Sequence, residues 1–261
     1  MYKKEQLMKD LYASGLKNTD AVMVHASMKA IGEVEGGGDT VIDAFLEYFE
    51  EGLVMMPAHT WAQMSETYCV FDPMTEPACV GILPNLFLKR QGAVRSLHPT
   101  HSIVAYGKKA ADYVKGEENC TTPCAPEGCW GRLRDMQAKI LLVGVTHIRN
   151  TYIHSIEESY QVPERFTKEA VMFQIKMPDG SLKETAVYRH YNPYTAHISE
   201  SYDKLTEAFY ETGAARKVTL GDAACILCDA EKLFAVLGKI LSREANCLMD
   251  REIIPQEWWK Q

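Results

Sequence analysis

The sequence predicts an α/β fold: a central mixed sheet flanked by helices, with a β-hairpin inserted in the C-terminal half. Three observations carry this. Short apolar runs that suit buried strands, at Ala21–His25, Leu53–Met56 and Ile140–Val143, alternate with stretches of helical periodicity. Strand-then-helix units of that kind imply a sheet sandwiched by helices. Farther on, Lys168–Met177 and Ser181–Tyr188 flank Pro178-Asp179-Gly180, which reads as a hairpin with a tight turn. At 261 residues the chain is one large domain or two small ones. It has no repeat, low-complexity tract or clear linker, so residues 1–261 are expected to form a single domain.

In order, Lys3–Ser14 reads as a helix and Ala21–His25 as the first strand. The turn Gly36-Gly37-Gly38 follows, with Asp39 as cap of a helix over Thr40–Glu50 whose Val41, Ala44, Phe45, Tyr48 and Phe49 share one face. Pro57 stops the second strand. The irregular stretch from Ala58 to Cys79 is long enough to suggest function. A helix around Leu83–Arg90, a strand at Ser102–Tyr106 and a helix at Lys108–Lys115 come next. After the hairpin, Ser199–Thr212 reads as a helix ending at Gly213, and Val218–Asp229 as one apolar strand. Asp229 then caps a last helix, Ala230–Ala245.

Composition excludes some classes. Hydrophobic content of 46% and charge of 24% describe an ordinary globular chain. A formal net charge of −7 argues against a nucleic-acid partner. There is no apolar signal core and no long apolar run, so the expectation is a cytoplasmic protein without a membrane partner. The eight cysteines are expected to be reduced thiols. Cys225 and Cys228 have C-x-x-C spacing but lie in the apolar run ACILC, which favours core packing. Cys120, Cys124 and Cys129 are irregularly spaced in a Pro-rich loop, and no metal site is expected there.

The chemistry centres on Ile140–Glu158. A short strand ends at Gly144, a polar loop follows, and Asn150 or Thr151 can cap a helix on which His154, Glu157 and Glu158 share a face. Histidine titrates near neutral pH, and a carboxylate one turn away can fix its tautomer and stabilise the imidazolium. Such a pair beyond the carboxyl end of a strand sits where open α/β sheets bind ligands. Two more polar loops follow strands, His25-Ala26-Ser27 and His59-Thr60. Arg95-Ser96 and His98 precede one, which leaves their edge of the sheet open. Gathered histidines, hydroxyls and amides suit polar chemistry on a carbonyl. Two other classes remain open: a metal-dependent hydrolase using some of His25, His59, His98, His101, His147 and His154, and a non-catalytic small-molecule binder.

The runs VHASMKAIGEVEGGGDTVIDAF, VMMPAHTW, GILPNLFLKRQGAVRSLHPTHSIVAYGKKA and LLVGVTHIRNTYIHSIEE resemble the antibiotic N-acetyltransferase family, best known for aminoglycoside 3-N-acetyltransferases. Four family elements occur in order, at His25 and Ser27, at Pro57 and Thr60, from Arg95 to Ser102, and from Asn150 to Glu157. The resemblance implies acetyl-CoA as cosubstrate and a primary amine, such as the 3-amino group of an aminoglycoside, as acceptor. It carries catalytic roles to His154 and Glu157, and places Ser27, Met28, Thr60, Arg95, Ser96 and Ser102 toward the CoA. Arg95 pairs with a CoA phosphate or holds the loop. For the acceptor, Glu66, Asp72 and Glu158 are the expected contacts, and a homodimer is left open. Two departures stand out: Ala26 where the family often has a first serine, and Cys129-Trp130 at the family's glycine-serine-proline turn.

Overall fold

The computed structural model describes residues 1–195, 197–250 and 252–260. The strands are β1 (Ala21–Ala26), β2 (Leu53–Pro57), β3 (Val70–Phe71), β4 (Val94–Arg95), β5 (Ile103–Gly107), β6 (Lys139–Val143), β7 (Val171–Lys176), β8 (Leu182–Val187), β9 (Ala215–Leu220) and β10 (Ala223–Asp229). The helices are α1 (Lys4–Ala13), α2 (Met28–Ile31), α3 (Gly37–Tyr48), α4 (Ile82–Phe87), α5 (Ala110–Tyr113), α6 (Cys129–Asp135), α7 (Tyr152–Ser159), α8 (Thr206–Glu211) and α9 (Ala230–Leu241).

Seven strands form the central sheet in the order β4-β5-β2-β1-β6-β10-β9. Its middle, β2-β1-β6, is parallel, and β5 and β10 join antiparallel on either side. The sheet is mixed, as the sequence implies. The period-2 alternation of strand side chains sorts the core into two faces. Met23, Met55, Ile140 and Leu142 point to one face, under α6, α7 and α9. Val22, Val24, Val54, Met56, Leu141 and Val143 point to the other, under α1, α3 and α4. Burial on both faces explains why these strands read as unbroken apolar runs rather than alternating ones. Each fully buried large side chain contributes about 1.5–3 kcal/mol of transfer free energy.

The hairpin is β7–β8. It forms a second sheet, in the order β3-β7-β8, with a two-residue strand from the long Ala58–Cys79 stretch, around a small core of Met64, Phe71, Phe173, Ile175 and Val187. Part of that stretch is therefore pinned as an edge strand.

Three local readings are corrected. Val218–Asp229 is two strands, because Gly221 takes a φ of +58° and turns the chain back on itself at Gly221-Asp222. Ser199–Thr212 is a 3₁₀ turn, Tyr202–Leu205, followed by the short α8. Helix α3 starts inside the glycine turn, with Gly36 as its cap residue, and Asp39 pairs instead with Arg90 at 2.8 Å. The last helix is capped as expected, Asp229 Oδ1 accepting from the Lys232 amide at 3.1 Å.

Candidate active site

Parallel pairing puts the carboxyl ends of β1, β2 and β6 at one edge of the sheet. Because β5 is antiparallel to β2, with Ile103 opposite Pro57, the segment before β5 reaches the same edge. Four polar loops therefore meet: His25–Ser27, His59–Thr60, Arg95–Ser102 and the loop from Gly144 to α7. Gly144 makes the last possible. Its φ is +62°, and a Cβ there would lie 2.1 Å from that of Ala30 in α2. A cavity of about 790 Å³ opens over this edge, lined by His25, His59, His101, His154 and His190 and, farther along the chain, by Tyr191, Ile198 and Glu200 among others.

His154 sits in α7, 7% exposed. Its Nδ1 lies 3.3 Å from Glu157 Oε2 and closer, 2.5 Å, to the hydroxyl of Tyr202. That hydroxyl donates to Glu157 Oε2. On its far side Glu157 accepts from Arg165 Nη2 at 2.6 Å, both side chains 2% exposed. Burial first, then the Arg165 cation, push the imidazole well below its usual range. Burial raises the Glu157 carboxyl, and Arg165 and Tyr202 work to lower it. Both causes hold the His154 ring toward its neutral form. Thr151 begins the helix, but its hydroxyl is 3.2 Å from His59 Nε2 and does not cap it.

Neither Arg165 nor Tyr202 carries a local signal. Arg165 lies in a loop and Tyr202 is 48 residues from His154, so only the tertiary fold brings them together. His190 was equally silent; its ring centroid is 4.2 Å from that of His154. It closes a chain of ring contacts from His59 through His101 at 4.7 Å to His190 at 5.3 Å. Burial pushes His25 down to about 3 and His98 and His190 to about 4. His25 Nε2 and His59 Nδ1 are buried without a hydrogen-bond partner among the described residues, so the wall still has polar capacity to offer a ligand.

The other expected site residues are placed differently. Glu158 shares the helix with His154 but accepts from Thr122 Oγ1 at 2.6 Å, from the Cys124 amide at 2.9 Å and from His190 Nε2 at 3.0 Å. It does not line the cavity; its carboxylate is spent on holding the 122–124 loop. Glu66 is an exposed loop residue, and Asp72 pairs with Lys176 at 2.9 Å against the small sheet. These three, expected around the acceptor, do not converge on His154. The Thr60 hydroxyl donates to the Pro99 carbonyl at 2.6 Å, and Ser102 Oγ to the Ala58 carbonyl at 2.7 Å. Ser96 Oγ accepts from the Ile103 amide at 2.9 Å. Arg95 reaches Ser102 Oγ at 3.0 Å, the Ala58 carbonyl at 2.7 Å and the Glu76 carbonyl. These bonds tie Arg95 to the loop after β2 and to Ser102. Ser27 and Met28, half-buried after β1, are not drawn into that clamp.

All eight thiols are free, and burial pushes Cys129 well up; its Sγ is 3.6 Å from the Tyr113 carbonyl. Cys225 and Cys228 are buried in β10, as core packing requires. Among the described residues, the trio spaced for a metal is Cys124, Glu158 and His190, and it includes none of the six histidines considered for a hydrolase. In the same residues no helix is long and apolar enough to cross a membrane.

A buried histidine beside a carboxylate thus stands at the carboxyl edge of a mixed sheet and faces a large cavity. The sequence profile described as Aminoglycoside 3-N-acetyltransferase matches residues 23–242, and the chain belongs to that family of acyltransferases. It is 27% identical over 260 residues to aminoglycoside N(3)-acetyltransferase III of a Salmonella species, covering 89% of each chain. To aminoglycoside N(3)-acetyltransferase VII of Streptomyces paromomycinus it is 32% identical over 178 residues, 61% of this chain and 62% of that one. Among solved structures, aminoglycoside acetyltransferase AAC(3)-Xa superposes with a TM-score of 0.77 at 26% identity, over 90% of each chain. An AAC-IIIb complex with CoASH shares the fold, with a TM-score of 0.78 at 24% identity over 90% of this chain and 94% of that one.

Proposed function

We propose that this chain transfers the acetyl group of acetyl-CoA to a primary amine, with His154 as general base. The single observation that carries this is the His154 ring itself: buried, kept unprotonated, and engaged at Nδ1, on the wall of the cavity. A primary amine is mostly an ammonium at pH 7 and must lose a proton before nitrogen can attack. That first proton goes to solvent. As the neutral nitrogen adds to the thioester carbonyl, His154 Nε2 takes a second one, the C–S bond breaks, and His154 passes this proton to the departing thiolate. Glu157 orients the ring. The transient oxyanion needs a donor. Thr60 and Ser102 have given their protons to carbonyls, which leaves Ser27 or a backbone amide. Ser27 and Met28 then stand on the donor side, while Thr60, Arg95, Ser96 and Ser102 shape it from behind.

Family membership supports the 3-amino group of an aminoglycoside as acceptor. One observation favours a second reading, a simpler amine. Glu200 is the only carboxylate lining the cavity among the described residues, and Arg149 and Arg189 line it too. A polycation needs several matched carboxylates. The test is thiol release from acetyl-CoA with gentamicin-, kanamycin- and neomycin-type substrates beside simple alkyl and aryl amines. Turnover of an aminoglycoside supports the first reading, and turnover of simple amines alone the second. No release with any amine sinks both.

A further inference from the structure

We propose that Tyr202 is the positioning residue of this base: its phenol, rather than Glu157 directly, holds His154 in the tautomer that leaves Nε2 free. This rests on His154 being the base. The hydroxyl lies between the ring and the carboxylate, 2.5 Å from Nδ1, while Nδ1 and Glu157 Oε2 are 3.3 Å apart. A phenol has a single proton, and Tyr202 gives it to Glu157 Oε2, the strongest acceptor in reach. Its oxygen is then an acceptor only. Nδ1 must carry the hydrogen that meets it, and Nε2 keeps its lone pair. The opposite arrangement, with Tyr202 donating to Nδ1, would set two lone pairs face to face at Glu157 and put a proton on Nε2, which abolishes the base.

The surroundings hold the phenol to that role. Tyr202 is fully buried, and burial keeps it protonated. Arg165 Nη2 also reaches the phenol oxygen, at 3.3 Å, and pairs with Glu157 Oε1 at 2.6 Å. A cation beyond the carboxylate fixes which oxygen faces Tyr202 and opposes a lasting charge on the imidazole. Tyr202 opens the 3₁₀ turn Tyr202–Leu205, and the next residue, Asp203, accepts from the Ile148 amide at 3.3 Å. The turn that presents the phenol is thereby tied to the loop that leads into the base. A tyrosine serving packing alone would be satisfied by any carbonyl. This one makes its hydrogen bonds with the catalytic pair and its counter-ion.

The groups that face His154 are Tyr202, Glu157, Arg165 and His190, with His59 beyond. Three measurements on the full chain test the relay. In ¹⁵N-histidine-labelled protein, the Nδ1 proton of His154, assigned by its loss in His154→Ala, should resonate downfield. It should move when 3-fluorotyrosine replaces Tyr202, because that phenol is the same size and a weaker acceptor. With an amine that is turned over, the acid limb of kcat/KM should move to lower pH in the same protein. Tyr202→Phe should lower kcat about 10–100-fold with KM for both substrates changed less than about threefold. Adding Glu157→Gln to Tyr202→Phe should then cost less than about threefold more, since a carboxylate that acts through the phenol is already disconnected. An unmoved Nδ1 resonance, or losses that multiply, overturns the relay, and the fluorinated protein decides should Tyr202→Phe fail to fold. If His154→Ala is inactive while both Tyr202 changes are silent, the relay fails and the base stands. An active His154→Ala removes the base and the relay with it.

Discussion

Two polar segments meet at one edge of the sheet and look alike in the sequence. Arg95–Ser102 carries an arginine, two serines, a threonine and two histidines, and Asn150–Glu157 carries an asparagine, a threonine, a tyrosine, a histidine, a serine and a glutamate. In the first, Arg95 and Ser102 give most of their protons to backbone carbonyls, Arg95 to Ala58 and Glu76 and Ser102 to Ala58, beside one bond between the two side chains. In the second, Tyr152 donates to the Ala230 carbonyl, but His154 and Glu157 bond to side chains, and His154 lines a cavity. Buried carbonyls without a ladder need a partner, so a loop that cannot pair as a strand recruits such donors. The difference teaches that a motif's polar residues separate into clamp and chemistry by where their donors end.

The sharpest way to break that contrast is to remove one residue from each segment. His154→Ala should lower kcat by about 10²–10⁴-fold with little change in melting temperature, because it deletes a base without unpairing a charge. A change below about threefold would mean that the second segment is a clamp as well. Glu157→Gln should cost less rate than His154→Ala. It should cost more stability, about 3–5 kcal/mol, because Arg165 is left charged and unpaired in the interior. Urea unfolding beside kinetics separates the two. Glu158→Gln should be milder than either in rate, since that carboxylate serves the 122–124 loop.

Arg95 gives the opposite pattern. Arg95→Ala should destabilise the fold by about 2–4 kcal/mol, as the Glu76 carbonyl loses this donor and the Ala58 carbonyl keeps only Ser102, with KM for acetyl-CoA changed less than about threefold. A tenfold rise in that KM without loss of stability would turn Arg95 into a phosphate ligand and collapse the comparison.

Both segments share a histidine-rich wall, and pH reads it as a whole. His25, held down to about 3, and His98, His147 and His190, held to about 4, are neutral in the folded state, with His59, His101 and His154 lower than normal as well. A group whose folded value lies below its unfolded one binds more protons unfolded. Their stabilisation is therefore complete above about pH 6.5 and is lost as pH falls toward 4. Each contributes up to about 1.4 kcal/mol per pH unit in that window. Glu117 and Glu157, raised by burial, work the other way over the lower part of it. The melting temperature should fall steadily from pH 6.5 to 5, and a flat profile would show that the wall is hydrated.

What was legible in the sequence follows from the range of the interactions. Buried strands and the cap at Asp229 are local, and they could be read within a residue or two. The pairing of His154 with Glu157 is local too, three residues apart on one helix. Arg165, Tyr202 and His190 were not legible, because nothing near them in sequence marks them as partners of His154. The hairpin at Gly221-Asp222 was missed for another reason: an apolar run on both sides of a glycine was read as one strand, although a left-handed φ was what that glycine supplied. For the thiols, the expectation is that none acts as a nucleophile. Intact mass after incubation with acetyl-CoA alone should show no adduct on Cys129, which is buried and raised, and a stoichiometric one would indicate a ping-pong route.

The smallest expected effect concerns the acceptor side. The sequence suggested that Glu66, Asp72 and Glu158 would gather around a polycation, and binding would then weaken steeply with salt. In the structure Glu66 stands in solvent, Asp72 is neutralised by Lys176 and Glu158 is enclosed by Thr122, Cys124 and His190. Glu200 is the carboxylate that lines the cavity among the described residues, and Arg149 and Arg189 line it too. Charges separated by more than about 8 Å are screened at physiological ionic strength, so a lone carboxylate in contact responds far less to salt than a field of several. For any aminoglycoside that is acetylated, KM should rise less than about threefold between low and high salt, and Glu200→Gln should abolish most of that rise. The assay compares gentamicin- and kanamycin-type substrates at two salt concentrations, with His154→Ala as the inactive control. A tenfold rise, unaffected by Glu200→Gln, would show that other carboxylates close over the ligand, and would restore the polycation site that this arrangement of side chains argues against.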